Sequence, residues 1–480
     1  MTVSSLKYSF LKSYFSFSIG AWINAVVSFF AVPVTSWLMN PSEYGKGNMF
    51  SVVYSVILLV VLLGTPSALM RLYHSRSDRE QLLWSSLIVP LVLGIVFTFS
   101  TMMLKQRLNV FIVGQESSNA YLILVLSVFL GIFQTFNQTV IRMQGRGFIY
   151  SALQVVNSVS NVGFLIAYAM FVQRNFYALL YAQLFSNLTT LSLGIYLQRE
   201  HWLPIKIDKS LVREILIYSY PFLFSGLLWW LLGWTDRIVL RIYTSFEEIG
   251  LYSAAFKLIA VMNLFTSGFS TFWYPFAYEQ YEKNPENREM FSKVFDYVSF
   301  LMLALALIIL SGKNLIFMLF AKTYRSSAYI APFLLAHPVS IMMAIVVARG
   351  IDFAKKTYWF MVSDGVAALF NLFGNLLLIP SLGAKGAALS TGLSYVIVFA
   401  IESFVSVKLY PVKYRFKRAY VSIGIFVIVA ALNSFIEKVS VGVLSSVIGL
   451  ILVILLYQDV FKRLVRDVFE VWNFVAKKHK

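Results

Sequence analysis

Four charged side chains lie within or at the edges of two adjacent apolar stretches near the middle of the chain. Asp236, Arg237, Arg241 and Lys257 interrupt the segment 219–257, which otherwise has the pattern of two membrane helices joined by a short turn. A charge at the centre of a membrane helix costs roughly 2.5 to 3.5 kcal/mol on insertion scales, so such residues usually have a partner or a function.

The spacing of these charges predicts which of them are paired. Asp236 and Lys257 lie at similar distances from the turn, so we expect an ion pair between neighbouring helices. That pair leaves Arg237 and Arg241 as net positive charge. The planar guanidinium forms two parallel charge-assisted hydrogen bonds to phosphate, so these arginines are candidate contacts for an anionic substrate.

Polar side chains at helical spacing also mark several other apolar segments. For a single asparagine, hydrogen bonding between membrane helices is the simpler explanation. Their recurrence in corresponding parts of the two halves favours a water-filled central cavity. The candidate cavity residues are Arg142, Asn24, Asn157, Asn161, Asn371 and Asn375.

A second group of ionisable residues is a candidate for coupling transport to an ion. Asp364 and Glu402 lie at similar depth on either side of a turn near Lys385. Two carboxylates, or one with Arg349, could form a proton or cation site, or could simply be paired or hydrated. His337 is the one mid-span histidine, and a neutral ring bonded to a helix carbonyl is a simpler interpretation than a proton relay.

The composition is that of a membrane protein. The 480 residues are 59% hydrophobic and 13% charged, with a mean hydropathy of +0.74, whereas soluble proteins hold about 25% charged residues. Apolar runs of near-spanning length recur along the whole chain. They predict an all-α polytopic fold with about fourteen spans, near 13–39, 48–70, 82–104, 120–142, 148–172, 176–197, 216–242, 250–275, 295–311, 328–349, 357–379, 386–408, 419–436 and 440–457.

Several functional classes are unsupported by the sequence. Cysteine is absent, the four histidines are scattered, and neither a GxxxxGK[ST] nor a GxSxG motif is present. The outer loops are too short to hold an active site. We therefore predict no enzymatic activity, no metal and no cofactor. A net charge of +18 would indicate nucleic acid in a soluble protein, but here it reflects membrane topology and predicts no nucleic-acid partner.

The distribution of basic residues predicts the orientation of the chain. When both termini are placed in the cytoplasm, 28 of the 40 Lys and Arg residues fall on the inner side. This asymmetry follows the positive-inside rule.

An internal repeat divides the chain. The tripeptide Glu-Tyr-Gly at 43–45 recurs as Glu-Ile-Gly at 248–250, and an Arg-Gly pair at 146–147 recurs at 349–350. Six spans per repeat keep the two halves in parallel orientation, which is a transporter plan. We expect bundles over 1–200 and 210–410, followed by two extra helices and a basic cytoplasmic tail over 411–480.

Three segments resemble the bacterial polysaccharide biosynthesis flippases of the multidrug/oligosaccharidyl-lipid/polysaccharide exporter superfamily. They are WLMNPSEYGKG at 37–47, TDRIVLRIYTSFEEIGLYSAAFK at 235–257 and SLGAKGAALSTGLSYV at 381–396. The resemblance implies a multi-pass protein of the bacterial inner (plasma) membrane. It also implies translocation of undecaprenyl-diphosphate-linked repeat units for O-antigen, capsule or exopolysaccharide, with a polysaccharide polymerase and a chain-length regulator as partners.

Two other activities of the same superfamily are alternatives. An ion-coupled multidrug exporter would need acidic cavity residues, whereas the intramembrane charge here leans positive. Resemblance to the lipid II flippases implies cavity arginines in the first two spans, where this chain has Asn24 and, at the inner end of span two, only Arg71. An integral-membrane glycan polymerase or ligase is a third alternative, which the short outer loops disfavour.

Overall fold

Apolar helices make up most of the chain that the computed structural model describes, namely residues 23, 24, 26–203 and 205–466. Within these ranges, eleven helices are long and apolar enough to cross a membrane, or twelve when one broken pair counts as a span. No strand occurs among the described residues. The prediction of an all-α polytopic membrane protein is confirmed. The count of fourteen stays a prediction, since part of the first span lies outside the described residues.

The chain separates into two units, Met1–Ser253 and Ala254–Lys480. These two units are compact parts of the structure, whereas the predicted boundaries at 1–200 and 210–410 describe sequence repeats. The repeat boundaries stay a prediction. The first unit contains α1 (Val26–Leu38), α2 (Pro41–Leu62), α3 (Thr65–Leu72), α4 (Arg79–Met102), α5 (Lys105–Val113), α6 (Ser118–Met143), α7 (Gly147–Phe171), α8 (Tyr177–Leu197), α9 (Arg199–Trp202), α10 (Lys209–Tyr243) and most of α11 (Phe246–Ala255).

The second unit continues the helical pattern. Its elements are α12 (Lys257–Lys283), α13 (Arg288–Met318), a 3-10 turn (Lys322–Tyr324), α14 (Ser327–Leu334), α15 (Ala336–Val347), α16 (Arg349–Phe353), α17 (Tyr358–Leu409), α18 (Phe416–Phe435) and α19 (Val439–Leu456). Each unit has its own apolar core. Leu87 and Phe136 are fully buried in the first, and Phe295 and Phe399 are fully buried in the second.

The second predicted span is broken rather than continuous. Helix α2 ends at Leu62, and Leu63 and Gly64 both adopt left-handed conformations before Pro66 helps to start α3. A Cβ on Gly64 would lie 2.6 Å from the carbonyl oxygen of Ser219 in α10. The break therefore depends on a residue that tolerates positive φ and that lets a second backbone approach closely.

Helix α17 contains two predicted spans. At Gly383 the backbone leaves the helical region, with φ 56° and ψ −135°, close to the boundary predicted between spans 357–379 and 386–408. The two halves return along each other so closely that a Cβ on Gly386 would lie 2.6 Å from the Leu378 carbonyl oxygen. Glycine at both positions allows this hairpin.

The turn that ends α6 has a counterpart in the second unit. Helix α6 ends in a turn where Gly145 has φ +70° and Arg146 N–H donates to the Ile141 carbonyl. The same arrangement recurs where Lys355 has φ +55° and Lys356 N–H donates to the Ile351 carbonyl. These matching Schellman turns lie 210 residues apart, and the correspondence drawn between 146–147 and 349–350 stays a prediction.

Ion pairs join loops that the sequence places on one side of the membrane. Arg76 Nη2 lies 2.6 Å from Glu214, and Lys206 Nζ lies 3.2 Å from Asp78. The Gln81 backbone amide lowers the pKa of Asp78, with a smaller contribution from Lys206. These contacts bring together two predicted inner loops of the first unit. Which side faces the cytoplasm stays a prediction.

Candidate functional site

Asp236 and Arg237 form a buried ion pair inside the first unit. Arg237 Nη1 lies 3.1 Å from Asp236 Oδ1, and the Arg237 backbone N–H donates to the same oxygen at 2.7 Å. The hydroxyl of Tyr252 donates to the other carboxylate oxygen. Arg237 also donates to the Gly233 carbonyl at 3.3 Å and lies over the Trp234 ring. The carboxylate and guanidinium are thus both engaged by neighbouring groups of the protein.

Arg241 binds the C-terminal end of a different helix. Its Nε donates to the Phe111 carbonyl at 2.7 Å, and its Nη2 donates to the Val110 carbonyl at 2.8 Å. Both carbonyls belong to the last turn of α5, where the Val110 carbonyl also accepts from the backbone N–H of Gly114 at 3.0 Å. The guanidinium also lies 4.3 Å from the centre of the Phe246 ring. A cation at this end of the helix is favoured by the helix dipole as well.

The geometry therefore favours a structural role for both arginines in this conformation. Arg237 is neutralised by its neighbour, and Arg241 ties α10 to α5. The predicted pairing of Asp236 with Lys257 would cross between the two units, because Lys257 begins α12, and it stays a prediction. Tyr252 had no role in the sequence argument. Its position sixteen residues after Asp236, on the other side of the turn, is the sequence feature that could have predicted this contact.

The amide residues of the first unit form a hydrogen-bonded network between helices. Asn157 of α7 donates to Asn187 at 3.2 Å and to Thr190 at 3.1 Å, both in α8. Asn161 donates to Ser186 at 3.4 Å, and the Ser158 hydroxyl donates to Asn24. Asn24, Asn157 and Asn161 are thus brought together on facing helices, each partly accessible.

The second unit has a similar network of amide hydrogen bonds that is more deeply buried. Asn371 donates to Thr391 at 3.2 Å across the α17 hairpin, and Asn375 donates to Asn371 at 3.0 Å. The Ser390 hydroxyl donates to the Asn371 carbonyl at 2.9 Å. Asn371 and Asn375 are fully buried, which is the arrangement of polar residues that hold two membrane helices together. A role in lining a cavity stays a prediction for both.

Arg142 differs from the other two predicted arginines because it is exposed. It lies at the end of α6, where its guanidinium contacts the sulfur of Met70 at 3.7 Å and the ring of Tyr150 at 5.7 Å. It makes no ion pair with a described carboxylate. Of the predicted arginines, this one is free to meet an anion in the conformation described.

Two of the three coupling candidates of the second unit, Asp364 and Glu402, lie near each other. Glu402 is buried and accepts a hydrogen bond from the Ser363 hydroxyl at 3.1 Å, with Asp364 and Arg349 nearby. Arg349 is itself paired with Asp352 and donates to the Ile345 carbonyl at 3.0 Å. The structure thus adds Asp352 and Ser363 to the residues found from the sequence. Asp352 follows Arg349 by three residues, a spacing typical of helical ion pairs.

His337 packs against an aromatic ring instead of bonding to a carbonyl. Its ring centre lies 3.8 Å from that of Tyr395, and its buried Nδ1 has no hydrogen-bond partner among the described residues. The expected bond from this histidine to a helix carbonyl is not seen in the described part of the chain. The position of His337 therefore supports neither a bond to a helix carbonyl nor a proton relay.

The two copies of the repeated tripeptide touch each other. A Cβ on Gly45 would collide with the Phe246 carbonyl oxygen, and a Cβ on Gly250 would collide with the Pro41 carbonyl oxygen. Phe246 follows Pro41 by 205 residues, and Gly250 follows Gly45 by the same number. The contact is therefore reciprocal. We call this packing of Pro41–Gly45 against Phe246–Gly250 the glycine contact.

The starts of both helices in the glycine contact are capped alike. The Asn40 side chain accepts from the Glu43 backbone N–H at 2.9 Å, and the Ser245 hydroxyl accepts from the Glu248 backbone N–H at 3.4 Å. Asparagine and serine are favoured at this position because they satisfy the first free amides of a helix. The glutamate of the first copy also accepts from the Phe176 backbone N–H at 2.8 Å.

Comparison with known proteins assigns the family. The family model described as "Polysaccharide biosynthesis protein" matches residues 10–280, more than half of the chain. The chain belongs to this family. A curated relative, the "Probable low-salt glycan biosynthesis flippase Agl15" of Haloferax volcanii, is 20% identical over 456 residues, which cover 89% of this chain and 93% of the relative.

Solved structures show the same fold at low sequence identity. The lipid II flippase MurJ in an inward closed conformation superposes with a TM-score of 0.70 at 14% identity, covering 94% of this chain and 99% of MurJ. An inward-facing multidrug resistance MATE transporter of the MOP superfamily gives 0.63 at 16% identity, covering 84% and 99%. The multi-pass transporter fold expected from the sequence is therefore confirmed.

Proposed function

We propose that the protein translocates lipid-linked oligosaccharides across a membrane by alternating access. The observation that carries the proposal is the family match over residues 10–280, which covers the first repeat and the glycine contact. The name of the Haloferax volcanii relative supports a glycan substrate. The finer form of the proposal is a polyprenyl-diphosphate-linked repeat unit, with undecaprenol as the carrier in a bacterial plasma membrane.

The physical need for such a protein supports this substrate class. A phosphate and several sugars cannot enter hydrocarbon without losing their hydrogen bonds to water, at a cost of several kcal/mol for each polar group. A path lined by amides and arginines replaces those bonds. We assign the substrate headgroup to Arg142 and to the partly accessible amides Asn24, Asn157 and Asn161. Arg237 and Arg241 would reach it only if their present contacts opened.

In an alternating-access cycle, the glycine contact would close the substrate path on one side of the membrane. Under the predicted topology, the starts of α2 and α11 lie at the outer side of the membrane. Their backbones touch there without intervening side chains, so a headgroup cannot pass between them. We propose that release of the substrate requires these two helix starts to separate. Asp364 and Glu402 remain the proposed coupling residues.

Translocation is tested most directly in proteoliposomes of the purified full-length chain. A lipid-linked oligosaccharide is placed in both leaflets, and an impermeant glycosidase is added outside. The enzyme should digest about half of the substrate in protein-free vesicles and nearly all of it when the protein is present. A digested fraction that stays at half with active protein present would contradict the proposal.

The same vesicles distinguish the alternatives. Lipid II in place of the oligosaccharide tests the lipid II flippase activity, and a fluorescent cationic drug under an ion gradient tests the multidrug exporter. Among the described residues, the one buried carboxylate on α10, that of Asp236, is already paired with Arg237, so the first unit offers a cationic drug little attraction there. We expect drug transport to be absent.

A further inference from the structure

A small pocket lies in the first unit where the α6–α7 turn meets the α8–α9 junction. Its volume is about 320 Å³, which is enough for a lipid headgroup rather than a whole substrate. The residues around it carry two positive charges and one negative charge. They are Arg146, Tyr196, Leu197, Gln198, Arg199 and Glu200.

The backbone holds Arg146 in place at the edge of this pocket. The Schellman turn at Gly145 ends α6, and the next residue, Arg146, is the N-cap of α7. No side chain caps the 25-residue helix that follows. The positive end of the α7 dipole therefore adds to the guanidinium charge at this point.

Neither arginine of the pocket is neutralised by the protein. Within the described part of the chain, Arg146 and Arg199 make no side-chain hydrogen bond or ion pair, although Glu200 lines the same pocket. On another loop of this unit, by contrast, Arg76 is paired with Glu214. Two unpaired guanidinium groups around one cavity repel each other unless an anion lies between them.

A buried amide is a second, independent indication that this pocket binds a ligand. Gln198 is only 3% exposed, and its Nε2 donates to Gln144 Oε1 at 3.5 Å, which links the two sides of the pocket. Its Oε1 has no hydrogen-bond partner among the described residues. Buried acceptors are rarely left unsatisfied, so a hydroxyl donor next to an anion would complete this site.

The surroundings indicate that the ligand comes from the membrane. Tyr196 lines the pocket with 71% of its surface exposed, and Phe148, two residues after Arg146 in the chain, is 73% exposed. Exposed aromatic rings beside arginines are typical of the membrane–water interface, where lipid phosphates lie. The pocket's net charge of one positive unit matches a singly charged phosphodiester.

We propose that this pocket binds the phosphodiester headgroup of an anionic phospholipid that carries free hydroxyl groups. The Arg146 and Arg199 guanidinium groups bind the phosphate, and the Gln198 and Glu200 oxygens accept from the hydroxyls. The site does not depend on the proposed translocation activity. Loss of transport would leave lipid binding unchanged, and loss of lipid binding would not by itself disprove transport.

Binding of phosphatidylglycerol to the purified full-length chain, measured by native mass spectrometry, tests the site. Phosphatidylglycerol should bind in preference to phosphatidylcholine, and R146Q/R199Q should weaken its binding by about tenfold or more. The matched control is R107Q/R174Q, which removes two exposed, unpaired arginines elsewhere in the first unit. Equal binding to wild type and R146Q/R199Q, or an equal loss in the control, would overturn the proposal.

Two further measurements identify the ligand and guard against misfolding of the variant. In the wild-type chain, phosphatidylglycerol should protect Arg146 and Arg199, but not Arg107 or Arg174, from phenylglyoxal. Absence of this selective protection counts against the site. Inorganic phosphate or a polyprenyl diphosphate that displaces the lipid at equal or lower concentration would replace the phospholipid assignment with a soluble anion or the transport substrate.

Discussion

At the scale of single residues, the buried charges of the first unit are held by partners that lie close in space. Asp236 is bound by Arg237 and Tyr252, and Arg241 is bound by carbonyls about 130 residues earlier in the chain. Removing one member of a buried pair leaves an uncompensated charge, which costs far more than removing both.

The Asp236–Arg237 pair predicts a clear order of stabilities. D236N should lower the free energy of unfolding by about 3 kcal/mol, because Arg237 stays buried and charged. Y252F removes one hydrogen bond and should cost about 1 kcal/mol. D236L/R237L should recover most of the loss, and thermal unfolding of the purified variants measures all three. If D236N unfolds like wild type while R237Q weakens substrate binding, Arg237 serves the substrate instead.

The contact of Arg241 with α5 gives a prediction that separates structure from substrate binding. R241M removes two hydrogen bonds to helix carbonyls and should destabilise this region by about 1 to 2 kcal/mol. Backbone amides of residues 105–114 should then exchange hydrogen faster. R107M, an exposed change in the same helix, is the control and should leave exchange unaltered. Unchanged protection of α5 in R241M would refute the structural role.

At the scale of elements, glycines decide where membrane helices break. Hydropathy predicts residues 48–70 as one span, because apolar content carries no information about a change of φ from negative to positive. The break needs positive φ at Leu63 and Gly64 and space beside Ser219. Both requirements are set by the tertiary structure of α2, α3 and α10.

Alanine substitutions at two glycines of the first unit should have opposite effects. G64A places a Cβ in the left-handed region and against the Ser219 carbonyl, so it should destabilise by about 1 to 2 kcal/mol or more. G163A lies in the interior of α7 with nothing within 4 Å of a new Cβ, and it should stabilise by up to about 1 kcal/mol. Thermal unfolding checks both, and equal effects of the two changes would contradict the role of the break.

At the scale of the whole molecule, two copies of a short sequence motif lie in direct contact. The repeated tripeptides pack against each other through Gly45 and Gly250, and the helices that carry them are capped alike. Because any side chain at either glycine meets a backbone carbonyl, the contact can close only with glycine at both positions.

The glycine contact predicts how its disruption alters accessibility. The chain has no cysteine, so a single I249C reports its own reactivity alone, and Ile249 is fully buried. G45A should separate the two helix starts and raise labelling of I249C by an impermeant maleimide at least several-fold. G163A with the same reporter is the control. An unchanged labelling rate in G45A would show that the contact is not the outer closure.

The amino-acid sequence alone determined the membrane class, the approximate positions of the apolar helices and the resemblance to glycan flippases, and it predicted a duplication. These properties follow from local sums of hydropathy, from the number of charges in each loop and from short repeated motifs. None of them depends on which distant residues are in contact. It also predicted that Asp364 and Glu402 lie at similar depth, because depth along a hairpin can be counted in residues, and their coupling role stays a prediction.

Only the tertiary structure decided which partner each buried charge takes and that the two glycine motifs meet. These outcomes depend on the rotation of one helix against another, where a shift of a few ångströms exchanges one hydrogen-bond partner for another. Arg241 illustrates this, because its acceptors in α5 have no recognisable pattern in sequence. The pocket at Arg146 and Arg199 likewise arises only when two distant turns come together.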